Sequence, residues 1–264
     1  MNIDVVARIQ PSRQPGQGHS LQISAEGKTI YTASDGGAAC RFQEIFDQNA
    51  STQEIFTRTV QPLLSVFTEG MNTCVVVFGE TDSGKLYTLV GDKNDRLAII
   101  PLTIDYIFDA PYLQKLQATA MWSLSISMYE IYAEVLKDLL DSNGTDPVNL
   151  KIMCNAQEGT FIKGLTCVTA SSAADAISIF HQGWARRTGA NVDFGPAESQ
   201  ATVITQLNLL VVLTALADFD WDNSVDTFGL NVFVHEKWKI ESSIPVLVAT
   251  RWSWVNVLAC GNDC

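Results

Sequence analysis

The sequence lacks most of the features that mark metal-binding, secreted and membrane-spanning proteins. It has only three histidines, and its six cysteines include no Cys-x2-Cys pair, so neither a zinc site nor a disulfide framework is indicated. No charged-then-apolar leader is recognisable, which predicts a cytoplasmic protein. The longest apolar run, 207–217, is too short to cross a bilayer and predicts a buried strand. Heptad repeats are not found, so no coiled-coil dimer is predicted.

Positive charge is also scarce. The chain has 17 Lys and Arg against 29 Asp and Glu, a net charge of −12, which disfavours nucleic acid as a partner. Its 264 residues, 47% of them hydrophobic, are enough for one sizeable core, as one domain or one domain with an appendage.

One stretch carries a recognisable chemistry. Residues 75–78 form an uncharged run of β-branched and aromatic side chains that ends in Gly79, and Gly84 and Lys85 follow after four further residues. A buried strand that opens into a loop and a helix start in this way is typical of a phosphate-binding loop, in which backbone N–H groups and the lysine contact phosphates. The same spacing also occurs by chance in turn-rich loops.

The residue after the lysine departs from the phosphate-loop pattern. The full motif has Ser or Thr at this position, because the hydroxyl is a ligand of Mg²⁺. Here it is Leu86, which has no oxygen for a hard cation. The pattern is therefore compatible with nucleotide binding and counts against metal-assisted hydrolysis.

Hydrophobic periodicity alternates between strand and helix patterns around this loop. Strands are predicted over 3–9, 21–23, 29–31 and 244–249, a hairpin over 150–162, and helices over 52–67 and 171–184. Gly70 is predicted to stop the first helix, and Ser171 or Ser172 to cap the second, whose apolar stripe is Ala174, Ile177, Phe180 and Trp184. The alternation predicts an α/β fold, a largely parallel central sheet with helices on both faces.

Several blocks along the chain resemble the kinesin motor domain family. They are residues 6–11, 46–47, 52–56, 70–72, the phosphate loop through residue 91, 99–101 and 127–140. The resemblance covers roughly residues 1–235 and implies a P-loop NTPase-type, kinesin motor-like fold whose sheet is mixed. Residues 236–264 are predicted to be a divergent, Trp-rich C-terminal segment. The resemblance also implies binding of ATP or ADP, association with microtubules and a cytoskeletal location.

The resemblance assigns roles to individual residues. Arg8, Pro11 and Tyr87 match the residues that hold the adenine, and a guanidinium, a flat ring and an aromatic ring suit a base. The predicted nucleotide-binding set is Arg8, Pro11, Gly79, Thr81, Ser83, Gly84, Lys85, Leu86 and Tyr87. Arg8 is also explained as a surface charge at a strand end, and Gln10 replaces the family's second arginine.

The two segments that sense the terminal phosphate in the family are altered. Ser199 matches a metal or phosphate contact, but the arginine after it is Gln200. Asp226 and Gly229 match an Asp-x-x-Gly core that is also an ordinary turn pattern, and the family's glutamate is Asn231. Ser199, Asp226 and Gly229 are therefore predicted to be switch remnants, with Ser199 and Asp226 as candidate metal ligands and no confident catalytic residue.

Three functional hypotheses follow. A degenerate motor-like module that binds nucleotide and microtubules, with hydrolysis and motility impaired, accounts for every departure and is preferred. An active, ATP-driven microtubule motor and a truncated product without independent activity are the alternatives. A small GTPase is disfavoured because the chain has no Asn-Lys-x-Asp motif for guanine.

Overall fold

A computed structural model describes twelve segments of the chain: 2–11, 21–32, 39–79, 83–91, 97–116, 120–132, 134–142, 150–155, 159–187, 201–213, 225–235 and 246–252. The strands are β1 (Asn2–Arg8), β2 (Leu21–Ile23), β3 (Thr29–Thr32), β4 (Ala39–Arg41), β5 (Glu44–Phe46), β6 (Asn72–Phe78), β7 (Ala120–Tyr132), β8 (Val135–Asp138), β9 (Lys151–Asn155), β10 (Gly159–Lys163), β11 (Val168–Ala170), β12 (Thr202–Leu213), β13 (Val225–His235) and β14 (Val246–Trp252). The helices are α1 (Thr52–Ile55), α2 (Gln61–Thr68), α3 (Lys85–Leu89), α4 (Ile99–Phe108), α5 (Pro111–Leu116) and α6 (Ala173–Ala185). A π-helical turn, Phe56–Val60, joins α1 to α2.

The central sheet has the order β11-β7-β12-β13-β6-β14-β1-β5, and β8 pairs with β7. Within it the parallel pairs are β1 with β5 and β13 with β6, while the remaining pairs are antiparallel. The expectation of a mixed sheet is confirmed, but the expectation of a mostly parallel one is wrong. An uncharged run such as the one in β12 indicates a buried strand, but it does not give the direction of the neighbouring strands.

The described helices all pack into a core on one face of the sheet. Alternate residues of β6 and β7, among them Val75, Val77, Leu124 and Ile126, join a cluster to which each of these helices contributes. Phe67 and Phe180 are fully buried there, and each stabilises the fold by about 1.5–3 kcal/mol. The predicted cover of helices on both faces is therefore not met by the elements that the structure describes.

The helix predicted over 52–67 is continuous but contains the π-helical turn. Pro62 has no N–H, and a proline ring clashes with the carbonyl of the residue four before it, which disfavours regular α-helix at this point. The N–H of Gln61 instead donates to the carbonyl of Phe56, five residues back. Gly70 follows the helix with φ of 102° and stops it, as predicted.

The cap of α6 is confirmed, whereas its stripe is partly wrong. Ser172 is the N-cap, and its Oγ accepts a hydrogen bond from the N–H of Asp175 at 3.2 Å. The carboxylate of Asp175 accepts from the N–H and the hydroxyl of Ser171, and these hydrogen bonds lower the pKa of Asp175. Ile177 and Phe180 are buried, but Ala174 is exposed.

The hairpin of β9 and β10 and the strands β1, β2 and β3 are confirmed, whereas β4 was not anticipated. The C-terminal strand predicted over 244–249 is β14, which begins at Val246 and lies between β1 and β6. Trp238 and Trp254 lie outside the described segments. The division into a domain over 1–235 and a segment over 236–264 stays a prediction. No helix in the part of the chain that the structure describes has the length and hydropathy needed to cross a membrane.

Candidate nucleotide-binding site

The candidate site lies at the edge of the sheet where β1 and β6 end. Both strands pair antiparallel with β14, so they run in the same direction and their carboxyl ends meet at one edge. Ligands of α/β proteins bind at this edge of the sheet. The residues that follow the two strands therefore converge on one place.

The described ends of the loop after β6, at Gly79 and at Gly84, have features expected for phosphate binding. Gly84 has φ of 87°, a conformation that strains residues with a Cβ, and α3 begins directly after it. Lys85 is only 5% exposed, and its Nζ donates to the carbonyl of Gly79 at 2.8 Å. The side chain of Lys85 thus bonds back to the first residue of the loop, where its ammonium group could contact a phosphate. Thr81 lies outside the described residues.

Ser83 has an unsatisfied polar atom in this loop. Its side chain is 4% exposed, and Oγ has no hydrogen-bond partner within the described part of the chain, although the residue lines a groove. An unpaired buried hydroxyl costs about 1–3 kcal/mol. A phosphate oxygen in the groove would satisfy it, so the loop fits a phosphate-bearing ligand.

Arg8 connects the end of β1 to the two neighbouring helices. Its Nη1 donates to Oγ1 of Thr88 at 2.8 Å and to Oγ1 of Thr52 at 3.1 Å. Its guanidinium carbon lies 5.2 Å from the ring centre of Tyr87, within the range of a cation–π contact. Burial lowers the pKa of Arg8, although a guanidinium stays protonated at neutral pH. Arg8 is therefore more than a surface charge at a strand end.

These residues line one groove of about 450 Å³, a volume within the usual range of small-molecule sites. Of the predicted nucleotide-binding set, the groove is lined by Arg8, Pro11, Ser83, Gly84 and Tyr87, whereas Gly79 and Lys85 are not among its lining residues. The groove is also lined by side chains that sequence reasoning missed: Gln10, Gln48, Asn49, Ser51, Thr52, Gln53, Thr88 and Leu97. The one sequence signal for them was the family-like block of residues 52–56, which contains Thr52 and Gln53. The others could not be predicted, because the approach of α1 to β1 is a tertiary contact. No carboxylate is among the described residues that line the groove.

Leu86 does not face the groove. Its side chain is partly buried against the core on the helical face of the sheet, between Lys85 and Tyr87 in the sequence. It has no oxygen, so α3 presents no metal ligand at this position. No group of three His, Cys, Asp or Glu side chains in the described segments is arranged to hold a metal ion. On the ground of Leu86, the described residues of α3 do not fit Mg²⁺.

Two of the predicted switch residues, Asp226 and Gly229, are not brought to the loop. Asp226 and Gly229 lie within β13, where they pair with Val211 and Asn208 rather than forming a turn. The residue of β13 beside the loop end of β6 is Val234, opposite Val77. Asp226 is eight residues earlier on the strand, which at ~3.3 Å per residue is roughly 26 Å away. The backbone therefore gives no support to Asp226 as a metal ligand, and Ser199 and Gln200 lie outside the described residues.

Together, a sheet strand that opens into a glycine- and lysine-containing loop and a groove beside it define a nucleotide-binding domain of the P-loop class. The family model that matches the chain describes the kinesin motor domain, over residues 12–214. The chain therefore belongs to the kinesin motor domain family. The matched region contains the phosphate loop, whereas Arg8, Pro11, β13 and β14 lie outside it.

Individual relatives agree with this assignment. Kinesin-like protein 5 of Schizosaccharomyces pombe is 31% identical over 172 residues, which are 64% of this chain and 19% of that protein. Kinesin-related protein 7 of Dictyostelium discoideum is 28% identical over 214 residues, 79% of this chain and 17% of that protein. The chain thus spans about a fifth of the length of these relatives. A solved structure of a fast kinesin matches the fold with a TM-score of 0.74, at 22% identity, over 89% of this chain and 66% of that one.

Proposed function

We propose that this chain is a degenerate kinesin motor domain that holds ATP or ADP at its phosphate loop and associates with microtubules, with hydrolysis and motility impaired. The observation that carries the proposal lies in α3. Lys85 reaches back into the loop and Tyr87 lines the groove, whereas Leu86 between them packs into the core. One short helix therefore keeps the contacts for a nucleotide and has lost the contact for its metal.

Residues of the loop and of the groove beside it would contact different parts of the nucleotide. Lys85 supplies positive charge to the phosphates, and the hydroxyl of Ser83, which has no partner among the described residues, donates a hydrogen bond to a phosphate oxygen. Arg8 and Tyr87 hold the base, with Pro11 at the rim. The amides of Gln10 and Gln53 provide neutral donors and acceptors, so the binding energy depends mainly on Lys85, Arg8 and stacking.

Impaired hydrolysis is supported by the metal side of the site. Leu86 provides no oxygen, and Asp226 lies far along β13 from the loop. In the sequence, Gln200 and Asn231 replace both members of the family's charged pair. We therefore derive no step through Mg²⁺ and expect nucleotide to be bound without turnover.

Microtubule association is supported by the family alone, and a cytoplasmic, cytoskeletal location follows from the same relationship. Co-sedimentation of the purified chain with polymerised microtubules tests it directly. We expect the chain to pellet with microtubules and to release no more phosphate with microtubules than without. Phosphate release that rises with microtubule concentration would show an active motor instead.

Nucleotide binding is tested by equilibrium titration of a fluorescent ATP analogue in EDTA. We expect saturable binding by the wild-type chain and about 10- to 150-fold weaker binding by Lys85→Ala, because a charge-assisted contact contributes about 1.5–3 kcal/mol. Lys115→Ala, in the exposed last turn of α5, is the matched control and should bind like the wild type. Equal affinity of the wild type and Lys85→Ala would contradict binding at the loop.

A further inference from the structure

Strand β14 separates the two strands that carry the nucleotide site. On one side it pairs with β1, where Val246 lies opposite Ala7, and on the other with β6, where Val246 lies opposite Phe78. Neighbouring strands lie about 4.7–4.9 Å apart, so β14 fixes a spacing of roughly 10 Å between β1 and β6. The spacing of the two strands is therefore set by a segment that lies outside the matched kinesin region.

The row formed by Ala7, Val246 and Phe78 lies directly below the site. The next residue of β1 is Arg8, which contacts Tyr87, and the next residue after β6 is Gly79, whose carbonyl accepts from Lys85. A shift of β14 therefore moves the base side and the phosphate side of the groove relative to each other. The hydrogen bond from Arg8 to Thr88 joins the same two sides and depends on the same spacing.

We propose that residues 246–252 act as an inserted strand that positions the two sides of the nucleotide site, so that affinity for a whole nucleotide depends on the pairing of β14. This inference rests on the proposed nucleotide binding. A strand in this place holds both neighbours through main-chain hydrogen bonds, as added strands do in other sheets. Its loss would leave β1 and β6 without their common partner.

The place of β14 is tested by a cross-strand disulfide. Thr250 lies directly opposite Cys74 of β6, and opposite positions of antiparallel strands have Cα separations within disulfide range. We expect Thr250→Cys to form a disulfide with Cys74 when diamide takes two electrons and two protons from the two thiols. Ala249→Cys is the matched control, because neighbouring residues of a strand face opposite sides of the sheet. Peptide mapping by mass spectrometry identifies the bond, and equal cross-linking by both variants, or by neither, would overturn this placement.

The positioning role is tested by comparing two ligands. Ala249→Pro removes a main-chain donor from the middle of β14. We expect it to weaken binding of the ATP analogue at least about tenfold and to change binding of inorganic tripolyphosphate less than about twofold. Ala39→Pro, at the first residue of the edge strand β4, is the control and should change neither.

The outcomes separate the two proposals. A folded Ala249→Pro variant with unchanged affinity for the ATP analogue would overturn the positioning role. If that variant loses its circular dichroism signal, Ala249→Gly gives the same comparison, and we expect a two- to fourfold loss for the ATP analogue alone. A wild-type chain that binds neither ligand would overturn nucleotide binding and the positioning role with it, while the disulfide still decides the place of β14.

Discussion

The two sides of the candidate site differ in how far apart in the sequence the segments that form them lie. The base and phosphate side is lined by residues from three segments, near Arg8, Thr52 and Thr88, and by Leu97, and the hydrogen bonds of Arg8 to Thr52 and Thr88 join these segments. The metal side would need groups from α3, from residues near 199 and from β13. Of these, Leu86 is turned into the core and Asp226 lies at the other end of its strand. The first side therefore uses segments between residues 8 and 97 that Arg8 joins directly, whereas the second would need segments spread from Leu86 to Asp226.

Removal of the stacking ring should have the largest effect on the base side. Tyr87→Ala should weaken binding of the ATP analogue by roughly 5- to 150-fold, since base stacking on an aromatic contributes about 1–3 kcal/mol. Tyr87 is 56% exposed, so the unfolding temperature should change little. Tyr87→Phe keeps the ring and should bind like the wild type. A similar loss in Tyr87→Phe would show that the hydroxyl, and not stacking, holds the base.

A smaller effect is expected at Ser83, where one substitution should raise the stability and lower the affinity for nucleotide. Ser83→Ala removes an unpaired buried hydroxyl, so it should stabilise the nucleotide-free protein by about 1 kcal/mol and weaken nucleotide binding about fivefold. Thermal unfolding and titration measure the two quantities. Thr73→Val is the control, because the buried hydroxyl of Thr73, near the other end of β6, also has no hydrogen-bond partner among the described residues. It should stabilise the protein without changing affinity, and unchanged affinity in Ser83→Ala would remove Ser83 from the site.

The smallest effect is expected on the metal side. Asp226→Asn should change the affinity for the ATP analogue less than about twofold, with or without Mg²⁺, because the register of β13 keeps this residue away from the loop. Titration of wild type and variant in parallel measures it. A clear loss of affinity that appears only with Mg²⁺ would mean that Asp226 reaches the nucleotide after all.

Local patterns predicted the parts of this molecule that depend on neighbouring residues. The turn at Gly84, the cap at Ser172 and the hairpin of β9 and β10 all follow from short-range chemistry. Strand direction could not be predicted in this way. The apolar run in β12 indicates burial, but it does not indicate whether the neighbouring strands run parallel or antiparallel to it.

The site shows the same limit. The role of Lys85 is predicted by the loop pattern and that of Tyr87 by the family resemblance. The contact of Arg8 with Thr52 requires α1 to approach β1, which no local pattern encodes. At Asp226 the limit is different, because a local Asp-x-x-Gly pattern is present there without the turn that it suggests. Four residues with two fixed positions recur by chance, and here they lie inside a strand.

The most direct test of the account is the Mg²⁺ dependence of ATP-analogue binding in wild type, Leu86→Thr and Leu86→Val. The two variants have nearly the same shape and differ in one hydroxyl, so their loss of core packing is matched. We expect the Kd of the wild type and of Leu86→Val to differ less than about threefold between Mg²⁺ and EDTA, and Leu86→Thr to bind at least about tenfold more tightly with Mg²⁺. A wild-type chain that binds the analogue tightly only with Mg²⁺ would contradict the account, because other groups would then hold the metal.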